Sequence, residues 1–342
     1  MFDLNSFLAS GRTLVIAEVG SNHGGDHKLA LESVAAAKEA GADVVKFQLF
    51  KPETLVDDKF PVLKYIQGPQ RTQRERFGIT ALPERLVRDL AEEASRQGIV
   101  FMATPFDLEA VDILAPLQPC FKIASGDLTN HPLIDAVVAK GMPVMISTGL
   151  SDEDEIDAAA ARIPADLFFP MHCVAVYPTP DDQVNLATIP WLGKRFGRPV
   201  GFSDHSGGGV ACVAAVALGA RIVEKHFLPR DDMAVADKAL SIGIADFRRM
   251  VDDIRRVESM RGSEGRRLAS GEEYFRTALR RSLYARVDIP MGTAITADRI
   301  VALRPWRPEA VPPSAAESLL GRLTCRPIAA NEAILFSDLV QD

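Results

Sequence analysis

Eight short runs of apolar and β-branched residues recur through the first two thirds of the chain, with helical stretches between them. Near-continuous hydrophobic runs of this length are typical of parallel strands that are buried on both faces. Eight strand-then-helix units within about 260 residues predict an α/β fold, the (β/α)8 TIM barrel. A doubly wound open sheet is disfavoured because no Gly-rich phosphate turn follows the first run. The eight runs cover residues 14–19, 43–48, 99–104, 120–125, 143–148, 167–173, 198–203 and 221–227.

The pattern changes after the eighth unit, which indicates a second domain. Residues 245–260 are predicted to form the eighth helix, so the catalytic barrel is expected to cover residues 1–262. Residues 263–280 begin with a polar stretch containing Gly and Ser and are predicted to be a linker. Residues 281–342 hold short strand-like runs and many Pro and Gly turns, which predicts a small β-rich domain.

Polar residues stand at or just after the carboxyl ends of the predicted strands. Barrel enzymes build their active sites on that rim. A buried strand gains no stability from an ionisable side chain, so this concentration of polar residues indicates a site. One of them, His172, is interpreted instead as a packed, hydrogen-bonded residue. The residues are Glu18, Lys46, Gln48, Thr104, Lys122, Ser125, Ser147, His172, Ser203 and His226.

Two lysines within these strands predict an anion site. Lys46 and Gln48 are two residues apart on one strand, so both point into the barrel mouth. Lys122 lies on a strand nearby, and serine and threonine hydroxyls accompany both lysines. A buried ammonium group requires an anionic partner. That partner is either a carboxylate and phosphate of a ligand or a structural carboxylate such as Glu18 or Glu224.

His205 and His226 follow the seventh and eighth predicted strands, which are neighbours in a barrel. We expect the two imidazoles to share one metal ion, since neutral imidazole is a common metal ligand. Two histidines with oxygen or water ligands suit Mn²⁺, or else Co²⁺ or Mg²⁺, better than a closed structural zinc site. Glu18 is a candidate acid or base, and Asp237 a candidate ligand for sugar hydroxyls, although each could instead be a capping or solvated loop residue.

The overall composition argues against several classes of partner. A formal net charge of −7 disfavours nucleic acid, because binding to a phosphate backbone usually needs a basic face. The longest apolar stretch is too short for a membrane span and contains Arg221. The four cysteines are far apart and form no C-x-x-C pair, and the amino terminus lacks the pattern of a secretory signal. These features predict a cytoplasmic protein.

The order of these motifs resembles the N-acetylneuraminate (sialic acid) synthase family over nearly the whole chain. The matching stretches are AEVGSNHGG, GADVVKFQ, ATPFD, FKIASGDLTNHPLI, STG, HCVAVYPTP, GFSDH and ALGARIVEKHF, followed by RRSLYARVDI and ALRP. The resemblance implies condensation of phosphoenolpyruvate with an amino-sugar aldehyde, such as N-acetylmannosamine or a diacetamido-dideoxyhexose, to give a nonulosonic acid. It also implies that the tail is an antifreeze-like (SAF) domain.

The resemblance implies a role for individual residues. Glu18, Lys46 and Lys122 would be catalytic, and His205 and His226 would hold the metal. The phosphoenolpyruvate site would comprise Lys46, Thr104, Lys122, Ser125, Ser147 and Ser203. The amino-sugar would contact Glu18, Gln48, Tyr177 and Asp237, with Phe106 lining the site. In the family the SAF domain covers the partner subunit's barrel, which implies a domain-swapped homodimer in which Arg304 reaches the sugar.

The sequence departs from the family pattern at three places. Ala175 stands where the family has an Asn that helps to bind phosphoenolpyruvate. The tail reads PWRPEAVPP after the expected arginine, so either Arg304 or Arg307 could be the arginine that reaches the sugar. Residues 57–80 differ from the corresponding loop of the family members that are specific for sialic acid. Two alternatives therefore stay open: another phosphoenolpyruvate–aldose synthase, of the 3-deoxy-octulosonate type, and a weakened homologue that only binds these ligands.

Overall fold

The chain divides into two compact units, Met1–Gly262 and Ser263–Asp342. The computed structural model describes residues 2–63, 70–230, 232–233 and 235–341. Residues 64–69, a part of the distinctive 57–80 segment, lie outside the described residues.

The first unit is built around parallel strands, which confirms the predicted (β/α)8 barrel. The hydrogen-bonded order is β3-β2-β1-β8-β7-β6-β5-β4, and each neighbouring pair is parallel. A short additional strand, β9 (Ile242–Gly243), pairs with β8. The barrel strands are β1 (Leu14–Gly20), β2 (Val44–Leu49), β3 (Val100–Pro105), β4 (Phe121–Ile123), β5 (Val144–Ser147), β6 (Phe168–Cys173), β7 (Gly201–Asp204) and β8 (Ile222–Leu228).

A side chain helps to close the barrel between its two terminal strands. β3 and β4 stand at the ends of the hydrogen-bonded order and contact each other across a seam. Within this seam the Gln118 carboxamide oxygen accepts a hydrogen bond from the Ala103 backbone N–H, at 2.7 Å. The bond satisfies a strand amide that would otherwise be buried without a partner.

Helices alternate with the strands, and their ends carry the expected capping residues. The Asp26 carboxylate accepts from two backbone amides at the start of α2, and Gly98 ends α5 in the left-handed conformation at φ 65°. Among the described residues, no helix has both the length and the apolar character needed to cross a bilayer. The helices are α1 (Leu4–Ala9), α2 (His27–Glu39), α3 (Pro52–Leu55), α4 (Gln73–Thr80), α5 (Glu84–Gln97), α6 (Leu108–Leu114), α7 (His131–Val138), α8 (Glu153–Ala160), α9 (Thr188–Phe196), α10 (Val210–Ala217), α11 (Ile244–Arg261) and α12 (Glu272–Leu279).

The barrel interior changes from apolar to polar along the strands. At the amino-terminal ends, inward-facing residues form one apolar cluster with Leu4 and Leu8 of α1. Because side chains on one face of a strand recur every second residue, the next inward position follows two residues later. The second inward-facing residue is polar on most strands. These residues form a layer with charged side chains directly above the apolar cluster. The pairs are Ile16 and Glu18, Val44 and Lys46, Met102 and Thr104, Cys120 and Lys122, Met145 and Ser147, Met171 and Cys173, and Ile222 and Glu224.

The second unit contains the small antiparallel sheet expected for a SAF domain. β10 (Ser282–Ala285) pairs with β11 (Ile300–Leu303), and further antiparallel bridges join residues such as Ile289 and Ile328. A separate apolar core supports this sheet and includes Leu283, Val311 and Ile334. The predicted linker region includes helix α12, and this helix belongs to the second unit.

Candidate active site

A cavity of about 300 Å³ opens at the carboxyl ends of the barrel strands. Its lining contains every site residue that we predicted in the first unit. It also contains Glu224, which the sequence analysis names only as a structural partner for the lysines, and residues that we did not predict, including Ser21, Gln73, Arg76, Phe77, Leu150 and Cys173. The predicted lining residues are Glu18, Lys46, Gln48, Thr104, Phe106, Lys122, Ser125, Ser147, Tyr177, Ser203, His205, His226 and Asp237.

Lys46 forms a buried ion pair on the floor of this cavity. Its Nζ lies 2.7 Å from Glu18 Oε2 and 3.6 Å from Glu224 Oε1, and it donates to Thr104 Oγ1 at 3.0 Å. Burial alone lowers the pKa of Lys46, but the Glu18 and Glu224 carboxylates outweigh it and raise the pKa above its ordinary value. Lys46 is therefore charged. Its partners are structural carboxylates, which is the second of the two kinds of partner that the sequence analysis considers.

Lys122 has weaker pairing than Lys46. Its Nζ lies 3.9 Å from Glu224 Oε1 and donates to its own strand at the Ile123 carbonyl oxygen, at 3.2 Å. Burial lowers the pKa of Lys122, and the nearby carboxylate only partly opposes that effect. An anionic ligand would stabilise the charged form, so Lys122 is the cation best placed to bind one.

The two buried carboxylates have opposite pKa shifts. Burial raises the pKa of Glu18 to about 7, against the opposing attraction of Lys46. Burial also acts on Glu224, but Lys122 and Lys46 outweigh it and lower the pKa of that carboxyl group. Gln48 Nε2 donates to Glu18 Oε1 at 2.8 Å and fixes the carboxylate. Glu18 can therefore give or take a proton near neutral pH, whereas Glu224 stays ionised.

His205 and His226 face each other above this layer, with ring centroids 5.5 Å apart. His205 Nδ1 lies 2.8 Å from the Val174 carbonyl oxygen, a contact that fixes the ring orientation when Nδ1 carries the proton. Burial, followed by the charge of His205, lowers the pKa of His226 well below its ordinary value. A neutral imidazole is the form that binds a metal. The Tyr177 ring lies 4.4 Å from the His205 ring, between centroids.

In their neutral forms these two imidazoles would fit an open metal site; burial lowers the pKa of His205, but Cys173 outweighs it and raises that pKa, so His226 is the imidazole that burial keeps neutral. His226 Nδ1 is buried without a hydrogen-bond partner and lies 4.0 Å from Asp237 Oδ2. Among the residues that the structure describes, no cluster of three His, Cys, Asp or Glu side chains could enclose a metal ion. The protein would thus supply two nitrogen ligands, and substrate or water oxygens would complete the shell.

Several unsatisfied buried atoms belong to residues that line the same cavity. Ser147 Oγ, Glu224 Oε2, Gln73 Oε1 and His226 Nδ1 are buried and have no hydrogen-bond partner. Such atoms are rare in folded proteins because each carries an uncompensated desolvation penalty. Together with the two lysines, these polar side chains suit the cavity to a polar ligand.

Other residues from the sequence analysis lie outside this cavity. His172 points away from the barrel interior, where its Nε2 lies 2.7 Å from the Val184 carbonyl oxygen and its ring stacks on Phe202, as expected for a packed histidine. Ala175 lines a neighbouring cavity rather than the central one. Arg304 belongs to the second unit, and its proposed contact with a partner's site stays a prediction.

Two groups of these additional lining residues differ in how far the sequence could have identified them. Cys173 and Glu224 occupy inward positions of β6 and β8, so the two-residue alternation from Met171 and His226 could have identified them. Gln73, Arg76 and Phe77 belong to α4, in the insertion after β2. Their position depends on how that insertion folds back over the barrel, which strand periodicity does not encode.

Fold and site together define a (β/α)8-barrel protein with an ionic, ligand-accessible site at its strand ends. The sequence matches the NeuB family model over residues 33–266 and the SAF domain model over residues 280–340. The chain belongs to the NeuB family. The resemblance to sialic acid synthases and the prediction of an enzyme are thereby confirmed.

Relatives and solved structures agree with this assignment. The N,N'-diacetyllegionaminic acid synthase of Legionella pneumophila is 34% identical, covering 95% of this chain and 94% of its own length. A pseudaminic acid synthase of Campylobacter jejuni is 31% identical, covering 98% and 99%. The crystal structure of the sialic acid synthetase of Leptospira borgpetersenii superposes with a TM-score of 0.71 at 28% identity, covering 78% of this chain and 92% of that one.

Proposed function

We propose that this chain condenses phosphoenolpyruvate with an N-acetylated amino-sugar aldehyde to give a nonulosonic, sialic-type acid and phosphate. The observation that carries the proposal is the arrangement of Lys46, Lys122 and the unpaired Ser147 hydroxyl beneath two facing imidazoles in one cavity. The names of the Legionella and Campylobacter relatives support the same class of product. We place the reaction in the cytoplasm, in keeping with four free cysteines.

Phosphoenolpyruvate would bind at the lysine end of the cavity. Lys122 lacks a close carboxylate partner and Lys46 shares two, so their ammonium groups would offset the carboxylate and phosphate of this substrate. The hydroxyl groups of Thr104, Ser125, Ser147 and Ser203 add hydrogen-bonding capacity around the lysines. Ala175 lines the neighbouring cavity and offers no hydrogen-bonding side chain, so the proposed cradle consists of the two lysines and these hydroxyl groups.

The amino-sugar would occupy the outer part of the cavity. Gln48, Tyr177 and Asp237 line it together with Phe106 and would orient the open-chain sugar. His205 and His226 would hold a divalent metal, most suitably Mn²⁺, with Co²⁺ or Mg²⁺ as substitutes. A metal held there would supply Lewis-acid chemistry to the sugar aldehyde.

We propose the course of reaction that the resemblance to the family implies. C3 of phosphoenolpyruvate attacks the aldehyde carbon, water adds at C2, and the tetrahedral intermediate expels phosphate. Lys46 and Lys122 stabilise the anionic charge throughout. Glu18 transfers a proton, either to the developing alkoxide or from the attacking water, because its pKa of about 7 permits both states at neutral pH.

Phosphate release with a panel of acceptors tests this function. We expect Mn²⁺-dependent release from phosphoenolpyruvate with N-acetylmannosamine or a 2,4-diacetamido hexose, and a product whose mass equals that of the condensed acid. Release with arabinose 5-phosphate instead would support a 3-deoxy-octulosonate-type synthase. If neither class of acceptor causes release, the chain only binds these ligands and the proposal fails.

Replacing Glu18 with glutamine is expected to lower kcat by roughly 10²- to 10⁴-fold, the usual loss when a general acid or base is removed. The pH profile of the wild-type rate should show an inflection near pH 7, since burial raises the pKa of Glu18 to about 7. A proton donor gives a fall above that pH and a proton acceptor a fall below it, and the Gln variant should show neither. The exposed Glu84→Gln change on α5 is the control. If the pH profile of Glu18→Gln keeps the same inflection, proton transfer belongs to another group.

We also propose that the enzyme is a domain-swapped homodimer in which Arg304, or else Arg307, reaches the partner's sugar site. Sedimentation of the full chain tests the dimer, and a monomer that retains full activity would contradict it. A loss of acceptor affinity in Arg304→Ala but not in Arg307→Ala would identify the arginine.

A further inference from the structure

Strand β1 is irregular directly after Glu18. Glu18 pairs with Lys46 and Gly20 pairs with Phe47, so β1 advances two residues while β2 advances one. The extra residue is accommodated at Gly20, whose φ of 53° lies in the left-handed region. Glycine enters this region without steric cost, and a left-handed glycine is a common component of a β-bulge. β1 therefore ends in a bulge next to the candidate acid or base.

The bulge changes which side chains of β1 and its following loop face the cavity. Ile16 and Glu18 face inward, whereas Val19 packs in the outer apolar core. Strict alternation would turn Ser21 outward as well, yet Ser21 lines the cavity. The extra residue in β1 thus brings Glu18 and Ser21 to the same side, three residues apart.

Gly20 also lies close to three side chains of the site. A Cβ atom placed on Gly20 would be 3.1 Å from Glu18 Oε1, 3.2 Å from Gln48 Nε2 and 3.6 Å from His226 Cε1. The first two distances are shorter than ordinary van der Waals contact. The same two atoms, Glu18 Oε1 and Gln48 Nε2, form a hydrogen bond of 2.8 Å. A side chain at position 20 would therefore displace one or both partners of this bond.

We propose that Gly20 is a positioning residue for the condensation, because the absence of a side chain at this bulge lets the Glu18 carboxylate and the Gln48 amide meet beside the His226 imidazole. The proposal rests on the proposed function, in which Glu18 transfers a proton and Gln48 contacts the sugar. A methyl group at position 20 would move the proton-transferring group relative to the sugar that it serves.

The change Gly20→Ala in the full-length enzyme tests this role. We expect kcat for Mn²⁺-dependent phosphate release to fall by roughly 10- to 100-fold, since a misplacement of about 1 Å can cost about 100-fold. KM for phosphoenolpyruvate should change far less. The three atoms nearest to the added methyl group belong to Glu18, Gln48 and His226, and none belongs to Lys122 or to the hydroxyl groups around it.

Gly98→Ala is the matched control. Gly98 ends α5 and is also left-handed, with φ at 65°, but a Cβ atom there would meet no atom of the described residues within 4 Å. Alanine is strained at both positions, so both variants should lower the urea midpoint. Only Gly20→Ala should lose activity. An equal loss of kcat in the two variants, or a wild-type kcat in Gly20→Ala, would overturn the proposal.

Gly20→Asn separates contact with the site from backbone strain, and it replaces Gly20→Ala if that variant does not fold. Asparagine adopts the left-handed region more readily than alanine, but its side chain is larger. If contact with Glu18 and Gln48 causes the loss, kcat stays low in Gly20→Asn. Recovery of kcat toward the wild-type value would mean that strain alone was responsible, and the positioning role would be wrong.

A measurement that does not depend on turnover separates this proposal from the proposed function. In protein labelled with ¹⁵N-glutamine, the side-chain amide signal of Gln48, assigned by its loss in Gln48→Leu, reports the bond to Glu18. The signal should shift in Gly20→Ala and stay in place in Gly98→Ala; an unchanged signal in Gly20→Ala would contradict the proposal. If the wild type releases no phosphate with any acceptor, the proposed function fails, whereas the shift would still support the role of Gly20 in bringing Glu18 and Gln48 together.

Discussion

Replacing His226 with alanine is expected to reduce metal-dependent phosphate release by roughly 10³-fold or more. A Lewis acid contributes several kcal/mol to stabilising the transition state, and each 1.36 kcal/mol corresponds to tenfold in rate. The described residues offer two facing imidazoles and no cluster of three potential ligands, so one imidazole alone would remain. Titration of the full chain with Mn²⁺ by calorimetry should show the loss of binding independently of activity.

His172 provides the control for this experiment. It lies on β6, beside the strand that leads to His205, but its imidazole points out of the barrel toward Val184. His172→Gln removes one imidazole without touching the cavity and should retain Mn²⁺ binding. Full Mn²⁺-dependent turnover in His226→Ala would exclude the two-histidine site and, with it, the proposed role of the metal.

The barrel could be predicted from the sequence because burial on both faces leaves a clear pattern. All eight runs became strands, and their bounds shifted by at most a few residues, as for the predicted 198–203 and the observed Gly201–Asp204. The polar strand ends were equally informative. Lys46 and Glu18 lie two residues beyond Val44 and Ile16 of the apolar layer, so the same alternation that defines the core defines the site.

Other features depend on long-range contacts and could not be predicted. Gln118 bonds to a strand amide across the β3–β4 seam, and no local pattern marks such a residue. The α4 face reaches the cavity only because the insertion after β2 folds over the barrel. Helix α12 lies within the predicted linker, residues 263–280, whose polar, Gly-containing sequence does not indicate a helix. For Gln118 and for the α4 face, the determining neighbour is distant in sequence.

A second buried ion pair lies directly behind the histidines, on the outward face of the strands. Lys225 Nζ lies 2.8 Å from Asp204 Oδ2 and donates to the Ser206 carbonyl oxygen at 2.5 Å. Asp204 and Lys225 are register partners of β7 and β8, and each precedes one of the two histidines. Alternation along the strands turns this pair toward α10, where Cys212 Sγ lies 3.3 Å from Asp204 Oδ2. The pair thus joins the two strand ends that carry His205 and His226.

Lys225→Met is expected to lower the free energy of unfolding by roughly 3–5 kcal/mol, because it leaves the Asp204 carboxylate buried without its counterion. The two side chains are only 0% and 1% exposed, so water cannot replace the lost partner. Urea denaturation of the full chain measures the change. Lys140→Met, which breaks a partly exposed pair with Asp112, should cost less than about 1 kcal/mol.

The double variant Asp204→Leu/Lys225→Met separates charge pairing from packing. Replacing both members of a buried pair by apolar residues is often close to neutral, so the double variant should recover much of the stability lost in Lys225→Met. Mn²⁺ affinity provides the second measurement, since a pair that aligns β7 and β8 should weaken metal binding when absent, even where stability recovers. An unfolding free energy of Lys225→Met within about 1 kcal/mol of the wild type would mean that Asp204 finds another partner, and the pair would then not fix the spacing of the two histidines.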